Sequence, residues 1–152
     1  MNAKTTDAIA MLTGDHRQVK DLFAQYDKLG DKAYGKKKTI ADDICTSLTM
    51  HAMVEEEIFY PAVRKAVKDA DALMDEAELE HASAKNLIAQ IQEMDPEDDL
   101  YDAKVKVLGE QIEHHVKEEE EEMFPKAKKA GLYLAALGDE TLRRKEEISA
   151  TL

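Results

Sequence analysis

The chain has 152 residues, 33 acidic against 21 basic side chains for a formal charge of −12, and one cysteine. This length suits a single domain that buries enough surface to fold without disulfides, and one cysteine excludes a disulfide within the chain. The acidic balance disfavours nucleic acid as a partner. With no signal-peptide pattern and no 18-residue apolar run, we expect a cytoplasmic protein without membrane contact.

Apolar residues recur every three or four positions along the chain, a period that predicts amphipathic helices. The expected helices are, in order, 6–28, 36–60, a short piece at 62–67, then 69–94, 95–124 and a last helix within 132–152. Pro61 is expected to end the second helix, Asp69 or Asp71 to cap the third, and Asp95 to cap the fourth. The predicted fold is all-α, an up-down-up-down four-helix bundle over about 6–129 with a short C-terminal helix, in one domain spanning 1–152.

An internal repeat lies on top of this pattern. The segment from His51 to Pro61, HAMVEEEIFYP, returns as HVKEEEEEMFP from His115 to Pro125, and in each a glutamate follows the histidine by four positions. Upstream, DHRQVKDLF at 15–23 resembles EHASAKNLI at 80–88, which places one more histidine in each half. Each half is therefore predicted to be a helical hairpin that carries the same three polar residues.

The helical period places these residues on the inward-facing stripes of four helices, whereas His114 lies about 100° away and is expected to face outward. Antiparallel packing brings the four histidines to one level, about 15 Å from one end of the bundle. Two buried carboxylates would cost several kcal/mol each without a cation. The sequence therefore predicts a dinuclear metal centre in which carboxylates bridge two ions; its six candidate ligands are His16, His51, Glu55, His81, His115 and Glu119.

The neighbouring residues receive simpler interpretations. The other glutamates of the 118–122 run, together with Glu56 and Glu57, are interpreted as solvated helix surface. Cys45 is interpreted as a small buried side chain, because no histidine–acid pair is left over to activate it. The basic run 143–145 is interpreted as the polar face of the last helix, although it could also dock a partner.

The histidine and glutamate pattern resembles the hemerythrin-like family, also called HHE cation-binding domains. Its signature is a histidine, an HxxxE element, a histidine and a second HxxxE element, and His16, His51–Glu55, His81 and His115–Glu119 match it. The resemblance implies a non-haem di-iron centre, with two Fe ions joined by an oxo or hydroxo bridge. It also implies a small ligand such as dioxygen, peroxide or nitric oxide.

One position departs from the oxygen-carrying members, which have a second histidine where this chain has Lys85. We expect the Lys85 stem to point into the bundle near one iron, which would then keep an exchangeable water. Oxygen or iron sensing, or a role in redox stress, is therefore favoured over oxygen transport. The alternatives are a di-iron enzyme acting on peroxide or nitric oxide and a metal-free helical interaction module.

Overall fold

The computed structural model describes residues 7–151, and in this range all regular structure is helical. Two of the helices continue through a short π-helical turn, at Glu55–Phe59 (π1) and Glu119–Met123 (π2). Thr6 and Leu152, at the ends of the predicted helices, lie outside the described residues. The α-helices are α1 Ala8–Asp27, α2 Tyr34–Val54, α3 Tyr60–Ala66, α4 Asp71–Glu93, α5 Tyr101–Glu118, α6 Phe124–Lys129 and α7 Leu134–Thr151.

The predicted four-helix bundle with an added C-terminal helix is confirmed. Helix α1 pairs with α2, and α4 pairs with α5, so that each half of the repeat forms one hairpin. The hairpins meet through α2 with α4 and α1 with α5. Helix α7 returns along the outside and packs against α1, α2 and π1.

The caps predicted for α4 and α5 are wrong, and so is the predicted start of α5, whereas α4 starts where the sequence predicts. Helix α4 begins at Asp71, but neither Asp71 nor Asp69 caps it; Ala70 precedes the helix without a side-chain cap, and Asp69 has a left-handed φ of 62°. Asp95 does not cap a helix but stabilises a turn, because its carboxylate accepts a hydrogen bond from the backbone N–H of Glu97 at 2.9 Å. Helix α5 therefore begins only at Tyr101.

Pro61 does not end the second long helix, contrary to the prediction. The π1 turn precedes it, and the N–H of Tyr60 bonds to the carbonyl of Glu55, five residues back. Pro61 then stands in the first turn of α3, where a missing N–H is tolerated. The same arrangement recurs at π2 and Pro125. The helices thus run on past both prolines, and the widened turns begin at the glutamates of the two HxxxE elements.

Two apolar cores lie on either side of the histidine level. The upper core, on the side of the prolines, also receives side chains of α7. The lower core, towards the 28–33 and 94–100 connections, contains Cys45, which is 1% exposed as the sequence suggests. The largest fully buried side chains are Leu12, Phe59, Met74 and Met123 in the upper core and Ile44, Ile91, Tyr101 and Leu108 in the lower core.

Candidate metal centre

Four buried histidines, one each from α1, α2, α4 and α5, meet at a single level between the two cores. Each is 6–7% exposed. The rings form two close pairs, His16 with His51 and His81 with His115, and in both pairs the ring centroids are 4.9 Å apart. The structure thus brings together the four histidines that the helical period predicted.

Glu55 and Glu119 are completely buried and lie between the two histidine pairs. Both begin a π turn, and such turns occur frequently at functional sites. Each carboxylate directs one oxygen to each pair. The measured separations are 3.2 Å for Glu55 Oε2 to His51 Nε2, 3.1 Å for Glu55 Oε1 to His81 Nε2, 3.1 Å for Glu119 Oε1 to His16 Nε2, and 3.1 Å for Glu119 Oε2 to His115 Nε2.

These six residues form two overlapping donor sets that share both glutamates. The first set consists of His16, His51, Glu55 and Glu119, the second of Glu55, His81, His115 and Glu119. Within each set the four donor atoms lie within 4.8 Å of one another. We call the two sets site A and site B, in that order. Two ions bridged by a pair of carboxylates would use this arrangement.

The four donor atoms of site A have no hydrogen-bond partner, although they are buried. The atoms are His16 Nε2, His51 Nε2, Glu55 Oε2 and Glu119 Oε1. Nitrogen and oxygen approach to 3.1–3.2 Å here but not with hydrogen-bonding geometry. Because buried polar atoms in proteins are almost always satisfied, four orphans that converge on one point fit a cation.

Site B differs from site A by a tyrosine that is not among the six ligands predicted from the sequence. The Tyr60 hydroxyl lies 3.1 Å from Glu55 Oε1 and from the Nε2 atoms of His81 and His115, and it also donates a hydrogen bond to Glu119. The repeat places Phe124 at the equivalent position of the second half, where its ring stacks on His16 at 6.0 Å. The repeat could have revealed this residue, because Tyr60 carries a polar hydroxyl at a position where the second half has the apolar Phe124.

Each of the four buried histidines also has a carboxylate beside its outer nitrogen, Nδ1. Because an ionised carboxylate only accepts, each Nδ1 carries the proton, which leaves Nε2 of the neutral ring free to bind a cation. The pairs are His16 with Glu120 at 2.7 Å, His51 with Asp15 at 2.9 Å, His81 with Glu56 at 2.7 Å and His115 with Glu80 at 2.6 Å.

The interpretation of Glu56 and Glu120 as solvated helix surface is therefore incomplete. They are partly exposed, but each binds a histidine of the opposite hairpin. Asp15 and Glu80 instead bind the histidine of their own hairpin partner helix. The signal was present in the repeat, since an acid precedes the first histidine and follows the ligand glutamate in both halves.

The Lys85 side chain does not point into the bundle, which corrects the prediction. It is 52% exposed, and its Nζ donates to Glu56 Oε1 at 2.7 Å on the bundle surface. The inward stripe of α4 continues from His81 to Ala84 in a step of three, so a residue four positions on falls beside the stripe. A histidine at position 85 would also lie beside the inward-facing stripe of α4, not on it.

A cavity of about 40 Å³ lies on the lower side of the histidine level. Its apolar wall contains the residues three positions away from each histidine: Val19, Leu48, Ala84 and Ile112. This volume is enough for a diatomic molecule or one or two waters.

The acid–base properties of the centre reflect opposing influences. Burial by itself lowers the pKa of His51, but Glu55 and Asp15 outweigh it and raise that pKa to about 10. Burial also opposes the charged form of His115, whereas hydrogen bonds to Glu119 and Glu55 raise its pKa to about 12. Although burial favours the neutral acid, these histidines hold the pKa of Glu55 well below its usual range. In the metal-free protein, protons on His51 and His115 thus supply positive charge beside the two glutamates.

The sequence matches the family "Hemerythrin HHE cation binding domain" over residues 7–127. The chain belongs to this family. The matched range contains all six predicted ligands and Tyr60, and it ends before α7. The grouping of histidines and glutamates described above agrees with cation binding by the domain.

Two individual proteins resemble the chain. A DNA nickase of Nostoc sp. (strain PCC 7120 / SAG 25.82 / UTEX 2576) is 31% identical over 110 residues, which is 72% of this chain but 30% of the nickase. A crystal structure of a hemerythrin HHE cation binding domain-containing protein from Mycobacterium kansasii superposes with a TM-score of 0.80 at 20% identity. That match covers 95% of this chain and 88% of the other. At this identity the structural match supports the fold.

No helix among residues 7–151 is long and apolar enough to cross a membrane.

The neighbouring residues His114 and His115 provide an internal test of the site. His115 is buried with its Nε2 at site B, whereas His114 is 65% exposed and pairs with Glu118 at 2.6 Å. We expect His115→Ala to lower the metal content by about one ion per chain, and His114→Ala to leave it unchanged. Mass-spectrometric metal analysis of the two purified variants measures this difference. The reverse result would contradict the register of α5.

Proposed function

We propose that this protein binds two non-haem iron ions at sites A and B. The observation that carries the proposal is the pair of donor sets that share Glu55 and Glu119, with four orphaned atoms in one of them. Imidazole and carboxylate donors suit iron, and the one cysteine of the chain lies in the lower core. When bound, such a pair of ions supplies redox chemistry and coordination of small molecules.

The protein groups hold the two ions unequally in this proposal. Site A has two imidazoles and two carboxylate oxygens, whereas site B has the same set and the Tyr60 hydroxyl. The sequence predicts the open coordination position at the iron beside Lys85, which is site B. The positions of Lys85 and Tyr60 argue for the opposite: site A has fewer protein donors and therefore more exchangeable positions.

A small molecule such as dioxygen, peroxide or nitric oxide is the ligand that we propose. The apolar cavity below the histidines admits a molecule of this size and lies directly against the donor level. Its surface is mainly apolar, which favours a small uncharged molecule. We propose a role in sensing oxygen or iron, or in the response to redox stress.

Iron loading tests the proposal directly. Under anaerobic conditions the protein should take up about two Fe(II) per chain, and the apparent affinity should rise with pH between about 6 and 9. The sign follows from the raised pKa values of His51 and His115, because each ion must displace protons that these rings retain at neutral pH. Metal analysis gives the stoichiometry, and calorimetry in two buffers gives the released protons. Uptake of less than half an equivalent would refute the proposal.

Tyr60 should mark site B in the ferric protein. A phenol oxygen bound to Fe(III) gives a visible charge-transfer band, so we expect Tyr60→Phe to remove that band and weaken site B by about tenfold or more. Tyr26→Phe is the matched control, because the Tyr26 hydroxyl lies far from the metal centre and donates a hydrogen bond of 2.6 Å to Asp102. Optical spectra of both iron-loaded variants measure this. A band that persists in Tyr60→Phe would mean that the hydroxyl is not a ligand.

A di-iron enzyme acting on peroxide is the second candidate function. The unequal donor sets favour it, because an ion with fewer protein ligands leaves room for a reactant beside the cavity. Disproportionation of two hydrogen peroxide molecules to two waters and one dioxygen needs no further reductant. Dioxygen evolution by the iron-loaded protein, compared with the same protein lacking iron, distinguishes turnover from binding.

Nucleic acid is not among the ligands that we propose, although one relative is named a DNA nickase. The chain matches only 30% of that protein's length, so the match gives no support for nickase activity in this chain. A formal charge of −12 opposes binding to phosphate backbones. We expect no change in the fluorescence anisotropy of a labelled DNA duplex at low salt when the iron-loaded protein is added. A salt-sensitive increase would contradict this expectation.

A further inference from the structure

The C-terminal helix α7 lies outside the part of the chain that matches the family, yet it contacts the surroundings of site A. Its inner face buries Gly138, Thr141 and Ile148 against the bundle. Two adjacent cations of α7 then reach bundle carboxylates: Arg144 binds Glu57, and Lys145 binds Asp15. The two ion pairs differ in one respect: Asp15 also binds a histidine of the metal centre, whereas Glu57 does not.

Lys145 contacts both oxygens of Asp15, at 2.5 and 2.6 Å. Asp15 Oδ2 also accepts the hydrogen bond of His51 Nδ1 at 2.9 Å, and the Nε2 of the same ring belongs to site A. The Lys145 and Asp15 side chains are only 18% and 19% exposed. A continuous series of contacts therefore leads from α7 to a donor atom of site A.

The other three outer carboxylates are held differently among residues 7–151. Glu56 also binds a lysine, but that residue is the half-exposed Lys85. Glu80 has His114 at 3.5 Å, and Glu120 belongs to the exposed glutamate run. Among the four carboxylates that bind a histidine Nδ1, Asp15 is thus the one whose two oxygens both contact a mostly buried cation, Lys145.

We propose that Lys145 is a positioning residue for His51, acting through Asp15, and that α7 is for this reason part of the support of site A. This inference rests on the proposed metal binding. A carboxylate gripped at both oxygens cannot rotate toward solvent, so the imidazole stays oriented with Nε2 toward the ion. Groups that orient a ligand in this way commonly change metal affinity by 10–100-fold.

The direction of the effect separates positioning from simple charge. Lys145 is a cation near another cation, so removal of its charge alone would tighten metal binding. Loss of positioning has the opposite effect and speeds metal release. The substitution Lys145→Gln therefore gives opposite results under the two explanations.

The experiment uses the full chain loaded with cobalt(II) and follows its release to excess EDTA. We expect Lys145→Gln to speed release of one of the two ions by about tenfold and to leave the other within about twofold. Lys145→Arg should restore slow release, because a guanidinium can also bind both Asp15 oxygens. In proton NMR spectra of the cobalt protein, one of four exchangeable imidazole N–H signals should exchange faster in Lys145→Gln.

Arg144→Gln is the matched control. It removes the adjacent ion pair of α7, whose carboxylate Glu57 has no histidine behind it, so both release rates should stay unchanged. Equal acceleration in both variants would reduce Lys145 to a docking contact of α7 and overturn the inference. Unchanged or slower release in Lys145→Gln would also overturn it. If the unmodified protein takes up neither cobalt nor iron, the proposed function itself is refuted. If it binds two ions and every variant releases them at the same rates, only the inference about Lys145 is refuted.

Discussion

Two carboxylates buried at the centre of an apolar bundle are the constraint on which the rest of the structure depends. Glu55 and Glu119 have no access to solvent, and an uncompensated charge at that depth costs several kcal/mol. Positive charge must therefore be close. Four imidazole nitrogens lie 3.1–3.2 Å from the carboxylate oxygens, and the raised pKa values of His51 and His115 show that protons on these two rings supply part of that charge. The same nitrogen atoms would become ligands to a bound cation.

The histidines impose a second requirement, which the acidic surface meets. A ring that directs Nε2 inward needs an acceptor at Nδ1, and Asp15, Glu56, Glu80 and Glu120 supply one each. Charge thus alternates outward from carboxylate to imidazole to carboxylate. Part of the excess of acidic residues, which from composition alone would be attributed to solubility, has a place in this arrangement.

The repeated hairpin makes two similar sites, and a few substitutions make them unequal. Tyr60 adds a hydroxyl to site B where Phe124 adds only a ring beside site A. Lys145 anchors Asp15 in the first half, and α7 has no counterpart in the second half of the repeat. Two nearly equivalent sites would bind ions alike. Because of these differences, site B has one more donor group, and site A has an additional ion pair behind one of its histidines.

The six candidate ligands were accessible from the sequence because the helical period is regular and the repeat shows each element twice. Register alone separates His115 from His114 in the sequence, and in the structure His115 is buried whereas His114 is exposed. The helix boundaries at Asp95 and Pro61 were not accessible, because a side-chain turn and a π turn replaced the expected cap and helix end. Contacts between hairpins, such as Glu56 with His81, and the outward direction of Lys85 also required the tertiary structure. Periodicity along one helix determines which face a residue occupies, but the neighbouring helices decide what a side chain at the edge of that face can reach.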